Sequence, residues 1–178
     1  MKPARILGHQ VHPMLIVFPL GLLAISVIFD GVYLVTANPV FATTAYWDIL
    51  AGVIGGLTAA VFGFWDWLTI PPRTRAKRIG ALHGAINVVV VVLFIASWLI
   101  RRGDALLHAP STGALLLSCF AVALAVIGGW LGGELVERLG IGVAENAGVD
   151  APSSLERPDV GVGTVRRPSA ALRRRTAT

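Results

Sequence analysis

The stretch Gly63-Phe64-Trp65-Asp66-Trp67 places one carboxylate between two tryptophans at the end of a long apolar run. The run begins at about Tyr46 and stops at Pro71-Pro72, and a cluster of Arg and Lys follows it. A run of roughly 20 apolar residues is long enough to cross a bilayer as a helix. An ionisable residue this close to hydrocarbon is costly and needs a partner. The stretch therefore predicts a membrane helix whose Asp66 meets polar residues on neighbouring helices.

The composition places the whole chain in the membrane class. Of its 178 residues, 55% are hydrophobic and 14% are charged, and the mean hydropathy is +0.74. A soluble domain carries about 25% charged residues, so this chain lacks the polar surface that water requires. Cys119 is the single cysteine, which excludes an internal disulfide and a cysteine-based metal site within the chain. No catalytic triad, P-loop, dinucleotide-binding or HExxH motif is present, so an enzyme is not the expected class.

The apolar runs predict an all-α integral membrane four-helix bundle with up-down topology. Pro19 lies inside the first run and should kink that helix. The uncharged residues 36–45 are predicted to form a loop, and residues 134–145 a short interfacial helix. The predicted spans cover about residues 12–35, 46–70, 79–100 and 111–133.

The sequence divides into a transmembrane domain, residues 1–145, and a basic tail, residues 146–178. The tail is rich in Ser, Pro, Gly and Arg, so it is predicted to be disordered. Its Arg173-Arg174-Arg175 run is expected to contact anionic lipid headgroups or to reinforce topology, and no specific nucleic acid is expected. Beyond a loose similarity of the helical hairpins, the sequence shows no internal repeat.

Lys and Arg are distributed unevenly between the two sides of the predicted bundle. The N-terminal segment, the 71–79 loop and the tail carry most of them, whereas the 36–45 loop carries none. Loops rich in Lys and Arg remain in the cytoplasm. Both termini of this multi-pass chain are therefore predicted to be cytoplasmic.

Polar residues repeat along three predicted spans at a spacing that returns to the same helix face. A spacing of 18 residues is about five turns and rises about 27 Å, close to the hydrocarbon thickness. Because neighbouring spans run in opposite directions, the polar residues should form one cluster at each end of the bundle. The pairs with this spacing are His12 and Asp30 (30 − 12), Asp48 and Asp66 (66 − 48), and His83 and Arg101 (101 − 83).

The predicted outer cluster contains Asp30, Asp48 and Arg101. Their charges nearly balance, and an ion-pair network would satisfy them inside the membrane. A structural role is therefore expected for these three residues. His108 lies in the loop on the same side and is expected to be solvated.

The predicted cytoplasmic cluster contains His12, Asp66 and His83, with His9 and Glu134 nearby. Imidazole and carboxylate groups bind transition metals, so all five are candidate metal ligands. Two histidines from different helices at similar depth also suit a b-type haem, with His12 and His83 as the cofactor-binding residues. Asp66 would then be a ligand or would orient a histidine.

Two other interpretations of this cluster stay open. In the first, His83 hydrogen-bonds Asp66, and the Asp–His cluster is a helix staple in a structural or assembly subunit. In the second, the polar stripes serve a small proton or ion carrier, although the middle of each span offers few polar groups. An absorption spectrum with elemental analysis would separate a haem or metal protein from both.

Four motifs of this sequence resemble a known family. It comprises predicted bacterial membrane proteins catalogued as a domain of unknown function (2231), and the resemblance covers about residues 8–145. The motifs are His12-Pro13-Met14-Leu15-Ile16-Val17-Phe18-Pro19, Gly63-Phe64-Trp65-Asp66-Trp67, His83-Gly84-Ala85-Ile86-Asn87 and Gly132-Gly133-Glu134-Leu135.

The resemblance implies a four-helix protein of the bacterial plasma (inner) membrane with undetermined activity. Some relatives are fused to Rieske-type iron–sulfur domains, which implies a redox setting. The expected partners are thus the lipid bilayer and a membrane or iron–sulfur redox protein. The leading expectation is a redox-linked membrane protein that holds haem b or a transition metal at its cytoplasmic end.

Overall fold

A computed structural model describes residues 3–103 and 108–156 of the chain. Within these residues, four helical segments are long and apolar enough to cross a membrane, which confirms the predicted all-α, four-span fold. A π-helical turn, Glu134–Arg138, continues the last span. Most of the predicted tail, from residue 157 onwards, lies outside the described residues. The helices are α1 (Val11–Leu15), α2 (Val17–Thr36), α3 (Pro39–Thr69), α4 (Arg75–Arg101) and α5 (Thr112–Gly133).

The first span, made of α1 and α2, is interrupted at Ile16. Pro19 has no N–H to donate to the carbonyl of Leu15, four residues earlier, and α1 ends at that residue. The interruption therefore lies where the proline was expected to disturb the helix. Beyond it, α1 packs against α3, which brings His12 to the side of that helix.

α3 begins at Pro39, so the loop predicted over residues 36–45 is largely helical. The side chain of Asn38 accepts a hydrogen bond from the Val40 N–H at 3.1 Å and caps the helix. Proline at the first helical position loses no hydrogen bond, because that N–H has no partner within the helix. Local capping thus extends α3 well beyond the apolar run that marked it in the sequence.

The spans pack as two hairpins, α2 against α3 and α4 against α5, which meet mainly between α3 and α4. Large apolar side chains such as Phe18 and Val35 stay exposed on the outside, where they would contact lipid. The centre of the bundle is filled by an apolar cluster of Leu23, Ile49, Val53, Val90, Phe94 and Ala121.

The two hairpins bury equivalent positions, which is an internal repeat that the sequence did not make evident. Each buried residue of α2 has a buried counterpart in α4 at a separation of 71 residues. Pro19, Leu23, Ser26 and Asp30 correspond in this way to Val90, Phe94, Ser97 and Arg101. In α3 and α5, Ala45, Ile49, Gly52 and Ala59 correspond to Ala114, Ser118, Ala121 and Gly128 at a separation of 69 residues (114 − 45).

A short β-hairpin precedes the first span. Strand β1 (Arg5–Ile6) pairs antiparallel with β2 (His9–Gln10). Leu7 and Gly8 between the strands have φ values of 50° and 86°. Positive φ at both central residues is what a two-residue type I′ turn requires, and glycine adopts it without strain.

Candidate functional site

His12 is held at the start of the first span by two residues of α3. Its Nδ1 lies 2.9 Å from the carbonyl oxygen of Ala59. Because a carbonyl oxygen only accepts, Nδ1 carries the proton, and Nε2 of the neutral ring keeps its lone pair. One turn further along α3, Gly63 gives the ring room, since a Cβ there would lie 2.8 Å from the His12 Cε1. A carbonyl and a glycine thus fix the imidazole.

His83 is held by α5 in the same manner. Its Nδ1 lies 2.8 Å from the carbonyl oxygen of Gly128, and a Cβ on Gly132 would lie 3.2 Å from its Cε1. The amide of Asn87 donates to the His83 carbonyl at 2.8 Å. The same amide nitrogen is 3.4 Å from both ring nitrogens of His83, which places it over the ring face.

The two imidazoles lie next to each other at one end of the bundle, which we name the histidine end. Their ring centres are 6.3 Å apart and their planes are at 89°. His83 follows His12 by 71 residues, the separation that also joins Asp30 to Arg101. The site is therefore built from equivalent positions of the two hairpins, and each hairpin supplies one half-buried imidazole.

The other predicted metal ligands are engaged elsewhere. The Asp66 carboxylate accepts a hydrogen bond from the Ala4 N–H at 3.2 Å, and Glu134 forms an ion pair with Arg75. His9 is exposed, and its Nδ1 contacts a carbonyl of its own β-hairpin at 3.2 Å. In the described part of the chain, no three His, Cys, Asp or Glu side chains are placed to share a metal ion. The five-residue metal site expected from the sequence is therefore not assembled.

The predicted hydrogen bond between Asp66 and His83 is likewise not formed among the described residues. The Nδ1 of His83 contacts the carbonyl of Gly128 on α5 instead of a side chain on α3. A backbone carbonyl satisfies the imidazole N–H without burying a charge, whereas a carboxylate at this depth would need to be desolvated. Asp66 stays half-buried beneath the start of the β-hairpin.

Lys77 ties the end of α3 to the start of α4 at the histidine end. Its ammonium donates to the Trp67 carbonyl at 2.6 Å and lies 3.8 Å from the centre of the indole ring. In return, the indole Nε1 donates to the Lys77 carbonyl at 3.0 Å. These contacts fix the first turns of α4 and hence the position of His83.

The opposite end of the bundle holds a buried ion pair. Nη1 of Arg101 donates to Oδ1 of Asp30 and Nη2 donates to Oδ2, both at 2.6 Å. Neither side chain has exposed surface. The guanidinium also donates to Ser97 at 3.3 Å and to Ser118 at 3.4 Å. Asp48 is half-buried on α3, and within the described residues it makes no ion pair with Arg101. Asp48 therefore lies outside the network in which the sequence placed it.

His108 is part of an aromatic stack at this end and is not a freely solvated loop residue. Its ring centre lies 3.9 Å from that of Tyr46, with planes at 10°, and Trp98 stacks on Tyr46 at 5.4 Å. The Nδ1 of His108 and the Nε1 of Trp98 are buried and have no hydrogen-bond partner among the described residues. The stack joins the start of α3 to the end of α4.

A comparison with protein families shows where the chain belongs. The family model DUF2231, described as a predicted membrane protein, matches residues 8–145. The chain belongs to this family. The matched DUF2231 segment contains all four spans, so the resemblance read from the four motifs is confirmed. No curated protein and no solved structure matches the chain.

Sequence reasoning missed the backbone partners of the two histidines in this DUF2231 chain. Ala59 and Gly128 act through their carbonyl oxygens, which no side-chain motif reveals. The signal that could have found them is a matched separation. Gly128 follows Ala59, and Gly132 follows Gly63, by the same number of residues (128 − 59 and 132 − 63).

Proposed function

We propose that this protein is a redox-linked membrane component that holds one metal centre, haem b or a transition metal ion, between His12 and His83. The proposal rests on one observation: the two imidazoles are held by equivalent hydrogen bonds. Each Nδ1 donates to a backbone carbonyl, and each Nε2 keeps a lone pair that a metal can accept. Histidines that bind metals usually donate their other ring nitrogen in this way, which fixes the tautomer and the ring orientation.

The separation of the rings agrees with one shared metal centre. A metal bound by both Nε2 atoms on opposite sides would place the ring centres about 6 Å apart, because each metal–nitrogen bond is about 2 Å long. The measured separation of the ring centres is 6.3 Å. The distance between the two rings is therefore compatible with one shared metal.

The redox role and the placement of the site rest on the sequence. Rieske-type fusions in relatives, implied by the family resemblance, support a membrane or iron–sulfur protein as electron partner. Arg73, Arg75, Lys77 and Arg78 lie at the histidine end, which supports a cytoplasmic position for the site.

The test uses the full-length chain purified in detergent from cells grown with iron and copper. We expect about one metal per chain by elemental analysis, with a visible absorption band if the centre is haem. The informative variants are His12→Asn and His83→Asn, because the asparagine amide can replace Nδ1 as donor to the carbonyl but offers no Nε2. Both should lose the metal, whereas His9→Asn and His108→Asn should retain it. Metal-free wild-type protein would overturn the proposal.

A structural or assembly subunit is the second candidate function. It is favoured by the hydrogen bonds that join His12 to α3 and His83 to α5, since these fasten helices with or without a metal. This role predicts that His83→Ala destabilises the bundle while His83→Asn is tolerated. It also predicts that the purified chain never contains stoichiometric metal.

A small proton or ion carrier has less support. The central apolar cluster, which includes Leu23, Ile49 and Phe94, lies between the histidine end and the buried ion pair. An ion that crosses this layer would lose its hydration without gaining polar ligands. Ion flux in proteoliposomes would be the observation that favours the carrier.

A further inference from the structure

We infer that the metal at the histidine end is a single monovalent copper ion, bound between the Nε2 atoms of His12 and His83. The inference rests on the proposed function and narrows it to one ligand. Three properties of the site lead to it: the charge of the ligands, their number, and the space between the hairpins.

The charge of the ligands favours a monovalent ion. Both imidazoles donate Nδ1–H to carbonyl oxygens, so each would bind a metal through Nε2 as a neutral ligand. The two carboxylates predicted as metal ligands contact other groups. Asp66 accepts a hydrogen bond from the Ala4 N–H, and Glu134 forms an ion pair with Arg75. The cost of burying an ion grows with the square of its charge, so a divalent ion would cost about four times as much as a monovalent one of equal size. A neutral ligand pair therefore suits a single positive charge.

The number of ligands points to copper among the metals that bind imidazole. Zinc takes four ligands in structural sites and three protein ligands in catalytic sites. The described residues hold no group of three or more His, Cys, Asp or Glu side chains for such a site. Imidazole is a good ligand for copper. Monovalent copper has a filled d shell and readily binds two ligands in a line. Two neighbouring imidazoles with ring centres 6.3 Å apart can supply that pair of ligands.

The close packing of α3 against α4 near His83 favours a bare ion over a porphyrin. A Cβ on Gly56 would lie 3.3 Å from Val91, and a Cβ on Gly80 would lie 2.9 Å from Trp67. These two close contacts lie on either side of His83 along α4. A porphyrin between the imidazoles would extend from the iron in every direction of its plane and would press on the contact of Gly80 with Trp67, which is one turn from His83. A bare ion requires only the gap between two nitrogen atoms.

The experiment is a titration of the full-length chain in detergent with monovalent copper, under anaerobic reducing conditions and against a chromogenic copper chelator. We expect one copper ion per chain and an X-ray absorption spectrum with two nitrogen neighbours. His12→Asn and His83→Asn should each weaken binding at least 100-fold. The matched controls His9→Asn and His108→Asn should bind copper as the wild type does.

The outcomes of these measurements distinguish a failure of the copper inference from a failure of the proposed function. A stoichiometric haem, recognised by its Soret band, would overturn the copper inference and leave the proposed metal site in place. Tight binding of stoichiometric zinc or manganese that is lost in His83→Asn would have the same consequence. Copper binding that persists in both His12→Asn and His83→Asn would overturn the inference as well. A chain that binds neither copper, haem nor any other metal would overturn both.

Discussion

Asp30 and Arg101 face each other across the bundle as a two-pronged ion pair with both hydrogen bonds at 2.6 Å and no exposed side-chain surface. Removing one member of such a pair leaves an unpaired charge buried inside the helix bundle. We expect Asp30→Asn to lower the free energy of unfolding by about 3–5 kcal/mol, because Arg101 would stay charged without a counter-ion. Thermal or SDS-induced unfolding of the detergent-solubilised chain, followed by circular dichroism, measures the loss.

The same substitution at Asp48 is the matched control. Asp48 is also on a membrane span but is half-buried and outside the ion pair, so Asp48→Asn should cost less than about 1 kcal/mol. Equal destabilisation by the two variants would show that the pair contributes no more than an isolated carboxylate.

A charge reversal tests whether the two hairpins are equivalent at this end. Asp30 and Arg101 occupy corresponding positions, and so do the buried Ser26 and Ser97 one turn before them. Asp30→Arg or Arg101→Asp alone should strongly destabilise the bundle, because each places two like charges in contact. The double variant restores the pair with its direction reversed, and an arginine at position 30 can reach Ser26 as Arg101 reaches Ser97.

Recovery by this double variant should be partial. Arg101 also donates to Ser118, whereas the corresponding residue of the first hairpin is the apolar Ile49. We expect the double variant to regain roughly half of the stability that the single variants lose, a coupling that a double-mutant cycle measures directly. A double variant that accumulates no better than the worse single variant would rule out the equivalence.

Gly63 and Gly132 provide a third prediction, since each lies against one imidazole. A Cβ would lie 2.8 Å from His12 in Gly63→Ala and 3.2 Å from His83 in Gly132→Ala. Either methyl group would rotate or displace the ring, so metal affinity should fall about 10–100-fold, as it does when groups that orient a ligand are lost. The larger effect is expected at Gly63, where the contact is closer. Copper titration or elemental analysis of the purified variants measures both.

Gly129 supplies the control for these substitutions. It lies beside Gly128 on α5, but a Cβ there would meet nothing within 4 Å. Gly129→Ala should therefore retain the metal. If Gly63→Ala and Gly129→Ala bind equally well, the glycines do not position the imidazoles.

The sequence predicted the spans of this protein much better than it predicted the contacts between them. Apolar length and composition determine that a segment crosses the bilayer, and these are properties of the sequence itself. Helix ends depend on local capping, so α3 begins at Pro39 although the apolar pattern placed its start at Tyr46. His12 and His83 were expected to meet because the spacing of polar residues sets the depth of each side chain.

The partners of the polar side chains could not be derived from that spacing. Spacing assigns a residue to a helix face and a depth, but it does not show which backbone groups are free. Asp66 meets the Ala4 N–H because an unpredicted β-hairpin folds over the end of α3. His83 meets the Gly128 carbonyl because a residue without a side chain leaves that oxygen accessible.

The contacts of Lys77 with Trp67 lead to the last prediction, which concerns the connection between the two hairpins. The Lys77 ammonium both donates to a carbonyl at the end of α3 and lies 3.8 Å from the indole ring centre. Lys77→Gln should lower the free energy of unfolding by about 1–3 kcal/mol, since a charge-assisted hydrogen bond and a cation–π contact are lost together. Arg78→Gln is the control, because Arg78 is the next residue and is exposed. If Lys77 contributes only its positive charge at the surface, the two variants should be equally stable. If it fastens α3 to α4, Lys77→Gln should also weaken metal binding, because the first turns of α4 carry His83.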